Sequence, residues 1–227
     1  MRPTHKGALA ALAAAALTAV SAVPASARII EIGRTAQVNA PSCPTNPCQA
    51  VSRTTGYQAK VGTQRGLMRA PADGQIVAWT ISLGAPGPRQ VRFFNENYGG
   101  ASRAGISVLK PGTKLFGRVT AQSTIQNLQP YFGTTVQFPL GRTLHVRKGY
   151  LIALTVPSWA PALALGMGND TSWRASRARD ACDEPGTQSA QLAIRNLAQY
   201  RCLYRTARLT YTATLVTAPR PPKAPKR

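Results

Sequence analysis

Hydrophobic and polar residues alternate with a period of two in three segments of the chain, residues 77–83, 143–147 and 208–215. This period is typical of a β-strand that buries one face and exposes the other. Seven further short runs are rich in Val, Ile, Thr and aromatic residues, and they bring the prediction to about ten strands. They are residues 29–32, 57–61, 91–95, 106–109, 115–121, 134–138 and 150–156.

Turn-forming residues separate these runs, for example at Asp73-Gly74, Pro111-Gly112 and Lys148-Gly149. Many short strands joined by turns favour an antiparallel arrangement. The best candidate for a helix, residues 189–197, fits a strand equally well. We therefore predict one all-β domain over residues 28–217, an antiparallel β-sandwich of jelly-roll type. An immunoglobulin-like sandwich is the alternative, although its usual length is only about 100 residues.

The N-terminus has the composition of a secretory signal peptide. Arg2 and Lys6 flank the start of an apolar run over residues 7–23, and Ala25-Ser26-Ala27 follows it. A basic start, an apolar helix and a small-residue cleavage site in this order are typical of signal peptides. We predict a signal-peptide helix over residues 1–27, and a mature protein that is secreted or associated with the cell envelope. An uncleaved anchor helix is the alternative, although a membrane span needs about 20 apolar residues.

The last ten residues, 218–227, contain four prolines and four basic residues. Such a segment lacks the apolar side chains that a folded core needs, so we predict a disordered basic tail. Outside the N-terminal run, the sequence has no apolar stretch long enough to span a membrane.

Four cysteines divide into two local pairs. Cys43 and Cys48 enclose a loop with two prolines, and Cys182 and Cys202 lie 20 positions apart. Four cysteines allow three connectivities, and we favour Cys43–Cys48 with Cys182–Cys202 because each pair is close in sequence. A zinc site with four cysteines usually has two tightly spaced pairs, and only the first pair is tight here. We therefore predict two structural disulfides and no metal site.

The chain is strongly basic, with 28 Lys and Arg against 7 Asp and Glu and a formal net charge of +21. The high Gly and Pro content and this charge exclude a coiled coil and a disordered acidic tail. A large positive charge on an exported protein favours polyanionic partners, namely anionic cell-wall polymers or polysaccharides and lipid head groups. Nucleic acid is a further candidate partner, on the basis of charge alone. A compositional bias toward Arg is the alternative explanation.

The sequence contains no recognisable catalytic motif. It lacks Gly-x-Ser-x-Gly, a P-loop and Gly-x-Gly-x-x-Gly, and His145 is the one histidine outside the signal segment. Nothing predicts a cofactor. An extracellular carbohydrate-active hydrolase or lyase stays open as an alternative, because Glu96 and Asp170 lie in predicted loops where two carboxylates could face one glycosidic bond.

A second acidic group, Asp180, Asp183 and Glu184, flanks Cys182. Three carboxylates close in sequence provide the oxygen ligands that Ca²⁺ prefers. The simpler interpretation is that they compensate the charge of nearby arginines, and we prefer it.

Two tryptophans lie beside turn-forming residues in the second half of the chain. Trp159 occurs in Pro-Ser-Trp-Ala-Pro, and Trp173 precedes Arg174, Arg177 and Arg179. Loop aromatics next to arginines can stack on sugar rings or bases, so these five residues are the predicted binding site. A Trp that plugs the end of the core is the competing interpretation. The sequence thus predicts a secreted, non-catalytic protein that binds anionic polymers or glycans, with a structural surface protein as a further alternative.

Overall fold

The computed structural model describes residues 27–36, 39–177, 179–184 and 189–218. The predicted signal peptide, apart from its last residue, and the basic tail beyond Ala218 lie outside the described residues. Within these ranges, no helix is both long enough and apolar enough to cross a membrane.

The described chain is built mainly of β-strands with one α-helix, α1, over Pro88–Asn97. Three single 3-10 turns span Thr113–Leu115, Gln129–Tyr131 and Arg179–Ala181. The strands are β1 Ile29–Ile32, β2 Val51–Val61, β3 Gln64–Arg65, β4 Gly74–Ser82, β5 Arg103–Pro111, β6 Phe116–Gln122, β7 Gln126–Asn127, β8 Thr135–Val146, β9 Leu151–Ala160, β10 Leu163–Ala164, β11 Ser172–Ala175, β12 Leu197–Gln199, β13 Cys202–Arg205, β14 Arg208–Leu209 and β15 Tyr211–Thr217.

These strands form two main antiparallel sheets. The four-stranded sheet has the order β1-β15-β4-β8. The larger sheet has the order β12-β6-β5-β9-β2-β11-β13, with β3 beside β2 and β7 beside β5. Strands β10 and β14 pair separately. The prediction of an all-β, antiparallel fold is therefore confirmed.

One hydrophobic core contains side chains from both main sheets. Trp79 and Ile81 of β4 enter it from the four-stranded sheet, and Ile106 and Leu154 enter it from the larger sheet. Tyr211 of β15 reaches across, because its hydroxyl donates a hydrogen bond to the carbonyl of Ile152 on β9 at 2.9 Å. Burial raises the pKa of this phenol well above its ordinary value, so it stays neutral.

The strand predicted at residues 91–95 is wrong, because these residues belong to α1. Pro88 occupies the first turn, where its missing N–H costs nothing, and the side chain of Gln90 accepts a hydrogen bond from the Gly87 N–H at 2.8 Å. Val91 and Phe94 lie three positions apart, and both pack in a small cluster with Trp159. The packing of this segment therefore follows the helical period, and the apparent alternation of its apolar residues does not predict its structure.

The helix candidate at residues 189–197 is also not a helix. This segment runs along strand β6 and ends in the short strand β12. The Arg195 N–H donates to the carbonyl of Val119 at 2.8 Å, and the Val119 N–H donates to the carbonyl of Asn196 at 2.9 Å. Pairing with β6 satisfies backbone groups that a helix would have satisfied internally.

Both predicted disulfides are present. Cys43 and Cys48 are bonded with their Cα atoms 4.4 Å apart, and Cys182 and Cys202 with their Cα atoms 5.4 Å apart. The first bond closes the loop before β2. The second fastens the segment around Asp180 to strand β13.

Candidate functional site

A groove of about 800 Å³ lies on the face of the four-stranded sheet that points away from the core. Strands β15, β4 and β8 form its floor, and β1 with the chain that follows it forms a wall. We call it the sheet groove. The polar residues that line it are Glu31, Arg34, Thr35, Asn39, Thr80, Ser82, Thr135, Gln137, Arg208, Thr210 and Thr212.

The floor is polar because its strands alternate between the core and the groove. On β15, Tyr211 is buried in the core, whereas the next residue, Thr212, is half-buried and faces the groove. On β4, Ile81 is buried, whereas Thr80 and Ser82 on either side of it are half-buried and line the groove. The period of two therefore places apolar side chains inside and hydroxyl groups outside.

Hydrogen bonds between neighbouring strands hold these polar groups in place. Thr212, Thr80 and Gln137 are directly paired across β15, β4 and β8. The amide nitrogen of Gln137 donates to the Thr80 hydroxyl at 3.3 Å. The hydroxyl oxygens of Ser82 and Thr135 are 2.8 Å apart. Donors and acceptors fixed in this way need little further ordering when a ligand binds.

Glu31 is the one acidic residue among the described residues that line the sheet groove. Its carboxylate accepts hydrogen bonds from the hydroxyls of Thr212 and Thr214, the second at 2.8 Å. These bonds fix both carboxylate oxygens beside β15. An ionised carboxylate has about four lone-pair sites, so it can also accept bonds from ligand hydroxyls.

Arg208 fastens the wall of the sheet groove to its floor. The guanidinium donates to the hydroxyl of Thr35 at 2.6 Å, to Oδ1 of Asn39 at 3.1 Å and to the carbonyl of Gly33 at 3.3 Å. Only 8% of Arg208 is exposed, and this burial lowers the pKa of the guanidinium. Arg34 is exposed at the same wall. The groove therefore combines two arginines with one carboxylate.

The lining of the groove suits a ligand rich in hydroxyl groups. It offers hydroxyl, amide, guanidinium and carboxylate groups, which match such a ligand. Glycoside hydrolysis by the common mechanism needs two carboxyl groups across the bond, and the lining supplies one.

Trp159, predicted to lie in a loop, is part of β9 and is 0% exposed. Its ring packs on Phe94 and Phe132, with centroid distances of 4.7 Å and 5.5 Å. The indole N–H donates to Oδ1 of Asn95 and to the carbonyl of Gly100, both at 2.9 Å. The ring therefore joins α1 to the sheet and has no face for a ligand, and we remove Trp159 from the candidate binding residues.

Trp173 also lies in a strand, β11, and not in a loop. It is 4% exposed, and its ring stacks on Tyr204 of β13 at a centroid distance of 4.6 Å. A Cβ on Gly56 of β2 would lie 3.0 Å from this ring. Both faces of the indole are thus used inside the protein, and the predicted stacking on a sugar or base has no room here.

Arg174 does not share a surface with Trp173. Arg174 is the next residue in β11, so its side chain points to the opposite face of the sheet. Its guanidinium donates to the carbonyls of Tyr200 and Arg201 at 3.2 Å and 3.3 Å. The side chain of Arg179 lies outside the described residues.

Arg177 connects three separate parts of the chain. Its guanidinium donates to the carbonyl of Ser52 at 2.8 Å, to the carbonyl of Cys182 at 3.4 Å and to the hydroxyl of Tyr204. It also lies over the Tyr204 ring, 5.4 Å from the centroid. The geometry indicates a structural residue, in contrast to the predicted binding role.

We expect Arg177→Met to lower the free energy of unfolding by about 1–3 kcal/mol, because hydrogen bonds from a charged donor are lost and carbonyls are left unpaired. Urea denaturation measures this change. The matched control is Arg205→Met, which alters an exposed arginine on β13 and should change stability by less than about 0.5 kcal/mol. Equal effects of the two substitutions would contradict the structural role.

The two carboxylates considered for hydrolysis lie beside opposite ends of β2. Glu96 lies on α1, which packs on Trp159, and Trp159 pairs with Ser52 near the start of β2. Asp170 lies beside the other end of β2, with Oδ2 3.7 Å from the position of a Cβ on Gly62. Extended chain rises about 3.3 Å per residue, so the stretch of β2 between these two ends is roughly 30 Å long. Glycosidase pairs lie within about 10 Å, so this placement does not favour Glu96 and Asp170 as such a pair.

The acidic group near Cys182 is exposed at Asp180, Asp183 and Glu184. Among the described residues, no three His, Cys, Asp or Glu side chains are arranged to hold a metal ion. The calcium alternative therefore has no support in the geometry.

Sequence reasoning missed the sheet groove, although one signal was present. The run Thr210-Tyr-Thr-Ala-Thr214 places hydroxyl groups on the outer face of one strand. Their partners on β4 and β8 come from distant parts of the sequence, so the groove appears only once the pairing is known. The chain matches no protein-family model, no curated protein and no solved structure, so a functional assignment rests on the site itself.

Proposed function

We propose that this is a secreted, non-catalytic protein that binds an acidic polysaccharide in the sheet groove. The observation that carries the proposal is the hydrogen-bonded row of Thr212, Thr80 and Gln137, which runs across three strands beside Glu31 and Arg208. Fixed hydroxyl and amide groups match sugar hydroxyls. The exposed guanidinium of Arg34 matches a sugar carboxylate bidentately, and Arg208 holds the wall of the groove in place.

Two features support secretion as part of the proposal. The N-terminal sequence follows the order of a signal peptide. Two disulfides join all four cysteines, and disulfides persist mainly in oxidising compartments. A secreted protein would share a compartment with the polysaccharides of the cell envelope or extracellular space.

We further propose that the fold is a jelly roll, which is also found in lectins and capsid proteins. The strand order β1-β15-β4-β8 in one sheet and β2-β9-β5-β6 in the other supports this. The chain moves between the two sheets from β1 to β2, from β2 to β4 and from β4 to β5. It moves again from β6 to β8 and from β8 to β9. Repeated crossing between two sheets is expected when an antiparallel ribbon is rolled up.

The overall charge of +21 supports an anionic ligand over a neutral one. A positive protein attracts anionic polymers over a distance of about 10 Å at 0.1 M salt, so affinity should decline as salt increases. Hydrogen bonds in the groove are less sensitive to salt. Binding to an acidic polysaccharide should therefore weaken with salt toward a residual level and not vanish.

The test compares alginate, an acidic polysaccharide, with dextran, a neutral one, by isothermal titration calorimetry. Thr80→Val combined with Gln137→Leu removes a hydroxyl and an amide from the floor at nearly constant shape. We expect alginate affinity to fall about tenfold, since each hydrogen bond contributes about 0.5–1.5 kcal/mol. Thr143→Val on β8 is the control, because Thr143 is exposed on the same sheet but does not line the groove.

Other outcomes would redirect the assignment. Equal affinity of the double variant and the Thr143 variant would remove the sheet groove from the function. Binding of double-stranded DNA at least as tight as that of alginate would indicate that net charge, and not the sheet groove, determines the affinity. Release of new reducing ends from alginate would identify an enzyme. Failure to bind any of these polymers at 50 mM salt would leave a structural protein.

A further inference from the structure

A second surface lies away from the sheet groove, along the edge of the larger sheet. Leu192, Ile194 and Leu197 expose 50%, 52% and 51% of their surface, and Leu115 and Phe116 expose 40% and 38%. We call these five residues the edge patch. Singly exposed apolar residues are ordinary, but several together on one edge indicate an interaction site.

The five residues are brought together by pairing with β6. The segment before β12 runs antiparallel to β6, since the carbonyl of Gln191 accepts a hydrogen bond from Gln122 at 2.6 Å and Leu197 pairs with Arg118. Phe116 lies two positions from Arg118, so it shares a face with Leu197. Phe116 and Leu197 therefore lie on one face of the outermost strands, and Leu192 and Ile194 precede Leu197 along the same edge of the sheet.

The edge patch is exposed although β6 also has a buried face. Gly117 and Val119 point inward, and a Cβ on Gly117 would lie 2.8 Å from the ring of Tyr200. The outward positions of a surface strand are normally polar. Here Phe116 occupies one of them and still exposes 38% of its surface to solvent.

Basic residues surround the edge patch. Leu197, Arg118 and Lys110 form a row across β12, β6 and β5. Lys114 and Arg195 are exposed beside the apolar side chains. The sequence has no acidic residue between Glu96 and Asp170 and none after Glu184, and all the strands of the patch come from these two stretches.

The backbone of the patch adopts unusual conformations. Among the described residues other than glycine, positive φ values occur at five positions, and three of them are Lys114 at 50°, Leu115 at 66° and Arg195 at 75°. Such conformations are costly for residues with a Cβ and cluster where function requires a particular shape. They hold Leu115 and its basic neighbours at the surface.

We propose that the edge patch binds the surface of an anionic phospholipid bilayer. Exposed Leu and Phe side chains insert at the boundary between head groups and acyl chains, while Lys and Arg bind the anionic head groups. Charge decides against a second copy of the chain as the occupant. A symmetric contact would place the lysines and arginines of the patch against their own equivalents.

The test places a fluorescent reporter in the edge patch of the full chain. Trp79, Trp159 and Trp173 are at most 4% exposed, so they are shielded from a quencher in a bilayer. Leu197→Trp adds an exposed indole at the patch. Ile29→Trp is the control for the bilayer, because Ile29 is 77% exposed and lines the sheet groove, away from the edge patch. Vesicles contain brominated phosphatidylcholine with or without phosphatidylglycerol.

We expect bromine to quench the indole at position 197 only when phosphatidylglycerol is present, and to leave the indole at position 29 unquenched. Lys110→Gln with Lys114→Gln should weaken vesicle binding about tenfold or more, since each Lys near an anionic surface contributes about fivefold. Arg142→Gln with Arg147→Gln, which removes two exposed charges from elsewhere, should change binding less than twofold.

Three results would overturn the proposal. Equal quenching at positions 29 and 197 would show that the patch does not orient the protein on the bilayer. Absence of quenching at position 197 with anionic vesicles would exclude the membrane. A doubled molar mass in light scattering, returned to the monomer value by Leu192→Ser with Leu197→Ser, would assign the patch to self-association. Alginate binding by the edge-patch variants at Lys110, Lys114, Leu192 and Leu197 tests the sheet groove separately, because none of these residues lines it, so the two proposals can fail independently.

Discussion

We expect Trp159→Ala to lower the free energy of unfolding by about 3–5 kcal/mol, the range for removal of a large aromatic side chain from a core. The indole is fully buried between Phe94 and Phe132, and its N–H satisfies Oδ1 of Asn95 and the carbonyl of Gly100. The substitution therefore opens a cavity and also leaves two acceptors unpaired. Urea denaturation followed by circular dichroism measures the loss.

Two further variants separate the parts of this effect. Trp159→Phe keeps an aromatic ring but removes the N–H, so it should cost about 1–3 kcal/mol. Phe93→Ala alters the neighbouring helical residue, which is 52% exposed, and should cost less than about 1 kcal/mol. A loss for Trp159→Ala no larger than that for Phe93→Ala would mean that α1 is not fastened to the sheet by this ring.

The sequence located most strands because one physical rule governs them. In β4 and β15 one face is buried and the other is not, so alternation appears directly in the residues. The rule failed at residues 91–95, where Val91 and Phe93 mimic alternation. Phe93 is exposed there, and the half-buried Val91 and the buried Phe94 follow the helical spacing. Pro88 was the local signal for a helix start.

The prediction that Trp159 lies in a loop was wrong for a different reason. Pro157 suggested a loop around Trp159, because proline cannot donate a hydrogen bond within a sheet. In the structure β9 continues through Pro157, and the register of β2 shifts between Ser52 and Thr54 opposite it. A bulge at this point accommodates the missing N–H. Bulges depend on the partner strand, so residues near Trp159 alone cannot predict them.

The candidate site depends even more on partners that are distant in sequence. Thr212, Thr80 and Gln137 become neighbours because the last strand of the domain inserts between β1 and β4. Alternation predicts that each hydroxyl faces outward, but not which strands adjoin. Closeness in sequence, in turn, does not guarantee a shared site. Arg174 and Arg177 are three positions apart, and yet they serve separate contacts.

We expect loss of the Cys182–Cys202 disulfide to cost more stability than loss of Cys43–Cys48. By loop entropy, a bond that closes about 20 residues contributes about 3 kcal/mol, and one that closes about 5 residues contributes about 2 kcal/mol. The difference should be enlarged by contacts, because the carbonyl of Cys182 accepts hydrogen bonds from Arg177 and Tyr204 and Cys202 is 1% exposed in the core. Paired Cys→Ser variants, unfolded in urea without reductant, give the two values. An equal or smaller loss for the Cys182–Cys202 pair would mean that the segment around Asp180 contributes little to the fold, and that Arg177 is not held by this bond.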